Sequence, residues 1–186
     1  MSRPYDIITI GGSAGSVPVV MQLLEALPAR LPVPVVIVLH RLRNVKSDMS
    51  KLLLPGRRLS EPEDKELLKE NCIYLAPQNY HLILEADKSF MLDYSEPVSF
   101  SRPSITITFN SIAEVYGEKA LGILLSGSND DGAEGLCRII AAGGTGVVLH
   151  PQATEFRIMP QSAIDRCSGV KIMTVPQMKD LILNNI

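Results

Sequence analysis

The sequence predicts a three-layer, doubly wound α/β fold with a mostly parallel sheet and an inserted β-hairpin. Three observations carry that prediction. Short β-branched runs recur along the chain, each is apolar throughout, and helix-compatible segments separate them. A strand with one face in water alternates apolar and polar side chains, so continuous apolarity means that both faces are covered, as in a parallel sheet between two helix layers.

The first run, residues 6–10, leads into Gly11-Gly12-Ser13-Ala14-Gly15. A helix follows: Ser16 is the expected N-cap, Pro18 suits the first turn, and Val19, Val20, Leu23, Leu24 and Leu27 share one face. The second run, 34–39, ends at His40. Residues 60–71 carry five acids and two bases, which predicts a solvated stretch with a short helical turn. Segments 73–76, 80–85 and 89–94 read as short strands, the last two forming a hairpin through Ala86-Asp87-Lys88. The run Ile105-Thr106-Ile107-Thr108 is ambiguous. Its β-branching favours a strand, whereas Ser104 as a cap and the spacing of Ile107, Ile112 and Val115 favour a helix ending at Gly117, and the balance leans to helix. Runs 120–125, 145–149 and 170–174 complete the strands. A helix over 131–142 turns Ala133, Leu136, Cys137, Ile140 and Ala141 inward and stops at Gly143-Gly144.

With 186 residues, 46% hydrophobic and 20% charged, the chain reads as one soluble domain over residues 1–186. Eighteen basic against 20 acidic residues leave a formal charge of −2, which argues against non-specific nucleic-acid binding. No apolar run reaches the length of a membrane span, and the N-terminus shows no signal-peptide pattern. Cys72, Cys137 and Cys167 form no C-x-x-C, so neither a disulfide framework nor a zinc ribbon is expected, and a reducing cytoplasm fits best.

Ligands of open parallel sheets gather at the carboxyl ends of the strands. Those ends carry Ser13, His40, Asp130-Asp131 and His150. The glycine loop lacks the spacing of a dinucleotide fingerprint and the Gly-Lys-Ser/Thr of a phosphate loop, but satisfies Gly-x-Ser-x-Gly through Gly11, Ser13 and Gly15. A nucleophilic serine needs a base for its proton and an acid to orient that base. Each residue also has a plain structural reading: Ser13 as a turn former, His40 as a packed histidine, Asp131 as an N-cap. Their convergence on one sheet edge favours a hydrolase, and the order Ser, His, Asp disfavours the α/β-hydrolases.

These residues lie in a series of ordered motifs: Ile10-Gly11-Gly12-Ser13-Ala14-Gly15, a strand ending in His40, Tyr74-Leu75-Ala76-Pro77, Tyr80-His81-Leu82, Arg102-Pro103-Ser104, residues 125–133 (LSGSNDDGA), and Met159-Pro160 with Ala163-Ile164. Together they resemble the chemotaxis protein-glutamate methylesterases, the CheB-type catalytic domain, from Ile7 to about Val175. The resemblance implies Ser13 as nucleophile, His40 as general base and acid, and Asp131, with Asp130 as rival, as the orienting acid. It further implies Ala14 and Ser128 as oxyanion donors, with Met159 on the substrate loop, and needs no cofactor or metal. The implied reaction removes methyl esters from glutamates of a chemoreceptor-type signalling protein, with glutamine deamidation in some members. A methyltransferase, a sensor kinase or a separate receiver are further partners it suggests. The alternative is a low-turnover binding module that retains the fold.

The chain departs from the family pattern at Leu39, where glutamine is usual, at Ser16, where a second glycine is usual, and at Leu149. It starts at the esterase's first strand, with no preceding receiver, so control is expected to be absent or to come from elsewhere, or the chain is an excerpt. Residues 41–58 carry six bases, including Arg41 and Arg43, against Asp48, a basic rim that could dock an acidic helix.

Overall fold

A computed structural model describes residues 4–41, Met49 and 59–186. Seven parallel strands form the main sheet: β1 (Ile7–Gly12), β2 (Val35–Leu39), β3 (Leu59–Ser60), β4 (Ile73–Leu75), β7 (Ala120–Leu124), β8 (Thr145–Leu149) and β9 (Lys171–Met173). Their spatial order is β3-β4-β2-β1-β7-β8-β9. The chain builds outward from β1 in one direction and later in the other, so the strand order reverses at β1 and a crevice opens beyond its carboxyl end.

Side chains of each strand divide between two apolar layers. Ile8, Ile10, Val35, Ile37 and Leu39 meet Val20, Leu23 and Leu24 of α1 (Val17–Ala26) and Met178 and Ile182 of α5 (Val175–Leu183). On the opposite face Ile7, Val36, Val38, Leu124 and Val148 meet α2 (Ile105–Tyr116), α3 (Ala133–Ala141) and α4 (Ile158–Arg166). The sheet is therefore covered on both sides, which is what its continuous apolar strands require.

The hairpin of β5 (His81–Leu84) and β6 (Phe90–Asp93) is antiparallel and separate from the main sheet. Helix α2 holds it. Thr108 Oγ1 donates to the Leu82 carbonyl at 2.7 Å, and Leu84 N–H donates to Ser111 Oγ at 3.0 Å. These bonds satisfy edge-strand groups that would otherwise be orphaned. They also show why the β-branched run 105–108 is helical: Ile105 is buried, Thr106 and Thr108 hydroxyls bond neighbouring elements, and Ser104 Oγ caps Ile107 N–H at 3.4 Å. Tertiary partners outweigh a weak local preference.

Three expectations are corrected. Residues 60–71 form no helical turn; they follow the short edge strand β3 and reach the hairpin through a bridge from Leu67 to Ser89. Ser16 stands at the N-cap of α1 but makes no side-chain cap bond, because its hydroxyl is used inside the loop that carries Ser13. Where no disulfide framework was expected, Cys137 and Cys167 form a disulfide with a Cα–Cα distance of 5.0 Å. Packing of α3 beside α4 brings them together across 30 residues, which no local spacing reveals. Cys72 is free.

Candidate active site

Strands β1 and β2 are in register, with Gly12 opposite Leu39, so Ser13 and His40 leave the sheet side by side. His40 N–H donates to the Gly12 carbonyl at 3.1 Å, which fixes the two exits relative to each other. Gly11 lacks a side chain for a specific reason: a Cβ there would stand 2.4 Å from Ile105 Cγ2, and α2 could not reach the sheet.

The loop bearing Ser13 is pinned from behind. Ser13 N–H reaches the Ser126 carbonyl at 2.8 Å and Ser16 Oγ at 3.1 Å. Ser16 Oγ also accepts from Ser126 N–H and donates to the Ser126 carbonyl, while Ser126 Oγ donates to the Ala14 carbonyl at 2.8 Å. Ser16 and Ser126 are fully buried, so this hydroxyl pair is shielded from water and tightens the turn. It occupies the position at which the family pattern places a second glycine.

His40 Nε2 lies 2.7 Å from Asp131 Oδ2, with the two side chains 10% and 0% exposed. Asp131 receives three further donors: Ser104 Oγ at 2.8 Å, Ile105 N–H at 2.7 Å and Thr106 N–H at 3.1 Å. It precedes α3, yet it serves the N-terminus of α2, where the helix dipole also favours a negative charge. Burial pushes its carboxyl up, but the bonds from His40 and Ile105, the His40 charge and the Ser104 bond outweigh that and leave it below the usual 3.8. An ionised, acceptor-only Asp131 requires the proton on His40 Nε2, so Nδ1 of the neutral ring carries the lone pair. That nitrogen is 3.1 Å from Ser101 Oγ, whereas Ser13 Oγ makes no hydrogen bond among the described residues.

Other candidates fall out differently. Asp130 points away and pairs with Arg166 at 2.5 Å. His150 Nδ1 accepts from Gln152 N–H in its own loop. The Ala14 and Ser128 N–H groups make no hydrogen bond among the described residues and remain available as donors. Met159 is not such a donor: its N–H is taken by the Gly127 carbonyl, and its buried side chain lies where a Gly127 Cβ would come within 2.4 Å of Cε. The same Cβ would stand 3.0 Å from Ser13 Cβ, so Gly127 keeps the floor of the site open.

Arg41 does not fit the docking role expected of it. Its side chain is 4% exposed and ties Glu61, at 2.7 Å, to the Ala76 carbonyl, at 2.6 Å, joining the ends of β2 and β4. Arg43 and the rest of the basic rim lie outside the described residues. Among the described residues no cluster of His, Cys, Asp or Glu is arranged to hold a metal ion, and no helix is long and apolar enough to cross a membrane. Ser101 and Ser104 are site residues that spacing alone did not reveal. Ser104 had shown as a helix cap and as the last residue of the Arg102-Pro103-Ser104 motif, with no site role attached, and Ser101 has no signal beyond its place directly before Arg102-Pro103.

Comparison with known proteins places the chain in a family. The family model for CheB methylesterase matches residues 8–182. A chain from Leptospira interrogans is 38% identical over 181 residues, covering 96% of this chain and 94% of that one. The protein-glutamate methylesterase/protein-glutamine glutaminase of Maricaulis maris is 35% identical, with 83% of this chain and 39% of that one covered. The protein of the same name from Aliivibrio fischeri is 33% identical, with 94% and 47% covered, so the chain spans less than half the length of these two. The crystal structure of the Thermotoga maritima CheB methylesterase catalytic domain superposes with a TM-score of 0.88 at 26% identity, covering 98% of this chain and 99% of that one. Matched over nearly its whole length in both sequence and fold, this chain belongs to the CheB methylesterase family.

Proposed function

We propose that the protein is a serine hydrolase that removes methyl esters from glutamate γ-carboxyls of a chemoreceptor-type signalling protein, through Ser13, His40 and Asp131. The single observation that carries the assignment of roles is the buried His40–Asp131 pair at the exit of the strand beside Ser13.

Ser13 Oγ attacks the ester carbonyl as His40 Nδ1 takes its proton. Asp131, bonded to Nε2–H, stabilises the imidazolium that forms. The tetrahedral oxyanion is received by the N–H groups of Ala14 and Ser128, which make no hydrogen bond among the described residues. Nδ1–H then protonates the departing methoxide, releasing methanol and leaving a glutamyl ester on Ser13. Water attacks that ester with His40 again as base, and glutamate and free Ser13 result. Glutamine at the same position would follow the same path with ammonia as leaving group.

The test is methanol release from a receptor fragment carrying glutamyl methyl esters. Ser13→Ala and His40→Ala are each expected to lower kcat by about 10⁴ to 10⁶. Full activity in either variant sinks the assignment, and His150→Ala is the control that stays near wild type.

A further inference from the structure

We infer that Ser101 is a positioning residue that holds the base lone pair of His40 at rest, so that its hydroxyl must leave Nδ1 before Ser13 can be deprotonated. This inference rests on the triad assigned above. With the proton of the neutral ring held on Nε2 by Asp131, Nδ1 offers one in-plane lone pair. One hydroxyl at a time can use it. In the structure that hydroxyl is Ser101 Oγ, at 3.1 Å, while Ser13 Oγ stands unbonded among the described residues.

The contact is built rather than incidental. Ser101 closes a two-residue turn with Val98 through paired backbone bonds of 3.1 and 2.9 Å. The two residues between them, Ser99 at φ 47° and Phe100 at φ 64°, both adopt the left-handed conformation that favours glycine. For the bulky Phe100, a residue 97% exposed that gains almost nothing from packing, that conformation is strained. Asn129 Nδ2 holds the turn by donating to the Ser99 carbonyl at 3.1 Å. On the other side of Ser101, Arg102 donates to the Tyr94 and Ser95 carbonyls at 3.0 and 2.7 Å and lies 3.8 Å from the Tyr94 ring centroid. With the backbone held on both sides of Ser101, its hydroxyl lies against the acceptor that the reaction needs and competes with the nucleophile. The exchange moves no net proton: the Ser101 O–H···Nδ1 bond breaks, the Ser13 O–H···Nδ1 bond forms, and rotation of the Ser101 side chain turns its hydroxyl elsewhere.

The test uses the full chain and a fluorophosphonate probe, with the adduct located by mass spectrometry, in wild type, Ser13→Ala, Ser101→Ala and Ser101→Thr. The adduct is expected on Ser13 and absent in Ser13→Ala. Ser101→Ala should label about two- to twelvefold faster, the factor that one ordinary neutral hydrogen bond represents. Ser101→Thr, which keeps the hydroxyl, should stay within about twofold of wild type. A readout that a merely structural role would not move is the ¹⁵N signal of His40 Nδ1. It should hold still in Ser13→Ala and shift toward that of an unbonded imidazole nitrogen when Ser101→Ala is added to Ser13→Ala, a background in which Ser13 cannot take the vacated lone pair. Should the alanine variant not fold, Ser101→Gly makes the same comparison. Unchanged or slower labelling of Ser13, or an unmoved Nδ1 signal, overturns this inference and leaves the triad standing. No adduct on Ser13 in any variant, or an adduct on Ser101, overturns both.

Discussion

Replacing Asp131 with asparagine keeps the shape of the side chain and puts an NH₂ group where one carboxylate oxygen was. Every group around Asp131 is a donor: His40 Nε2–H and Ile105 N–H on Oδ2, Ser104 O–H and Thr106 N–H on Oδ1. If the amide NH₂ takes the Oδ2 position, Ile105 N–H loses its acceptor and His40 must move its proton to Nδ1, where no base remains for Ser13. If it takes the Oδ1 position, Ser104 can rotate to accept, but Thr106 N–H is stranded. Either way one backbone donor is left unpaired, at a cost of about 1–3 kcal/mol, and the charge at the start of α2 is lost, about 0.3–1 kcal/mol more. The expected destabilisation is therefore roughly 1.3–4 kcal/mol, read as a shift in the urea midpoint. Activity falls further than stability, because the imidazolium loses its anion and part of the population carries the wrong tautomer; kcat for a small ester should drop on the order of 10⁴. Asp130→Asn, at a half-exposed carboxylate paired with Arg166, should stay within about twofold. The stability gap also has a pH signature. The Asp131 carboxyl is held below 3.8 in the folded protein, so its contribution is complete above that value and is lost as pH falls through the lower, folded value. The difference between wild type and Asp131→Asn should narrow in that acid window. More than a tenth of wild-type activity in Asp131→Asn, or a gap that widens in acid, would refute the reasoning.

Ser16→Ala leaves the buried Ser126 N–H without its acceptor, an expected loss of about 1–3 kcal/mol, with a fall in kcat as the Ser13 loop loosens. Unchanged urea midpoint and kcat would show the hydroxyl pair to be idle. Phe100→Gly removes a Cβ from a left-handed residue and gives up almost no burial, so the turn should gain about 0.5–1 kcal/mol, and a lowered urea midpoint would contradict the strain. Reducing the Cys137–Cys167 bond reopens a loop of 30 residues, worth about 3.6 kcal/mol in chain entropy, or roughly 9 °C in Tm for a chain of this size. A melting curve with and without reductant, compared with Cys137→Ser under both conditions, checks it.

The strands were readable because covering both faces of a sheet forces nearly every position of 7–10, 35–39 and 120–124 to be apolar, a demand that leaves a mark on the chain itself. Ser13, His40 and Asp131 were readable for a related reason: each follows such a strand, and strand ends are where an open sheet collects its chemistry. What stayed hidden depends on partners distant in sequence. Strand β3 is two residues long and has no period to detect. The helix over 105–116 was read as the favoured of two options and not as a certainty, because it is decided by Leu82 and Gly132, which accept from Thr108 and donate to Thr106. Arg41 looked like a free charge because nothing local marks Glu61 and the Ala76 carbonyl as its partners. Ser101 reaches His40 across 61 positions, on a turn whose left-handed residues are a serine and a phenylalanine instead of the glycine or asparagine that would have announced it.

The two sides of the His40 ring are built on different principles, and the difference matters for the role proposed for it, a base used twice per cycle. On the Nε2 side, two of the three bonds that hold Asp131 besides that of His40 itself come from main-chain N–H groups of α2, which ordinary side-chain substitution cannot remove. Ser104, fully buried, adds a third bond and at the same time caps that helix, so the acid, the cap and the helix start share one rigid assembly. On the Nδ1 side the partner is a single side-chain hydroxyl at the end of a strained surface turn. The bond to Asp131 has to survive proton uptake and release, since losing it at either stage would let the ring change tautomer. The bond at Nδ1 has to be exchanged at each stage, first for Ser13, then for the departing methoxide, then for water. Fixed main-chain donors behind the acid and a replaceable hydroxyl in front of the base meet those opposite requirements within one imidazole ring.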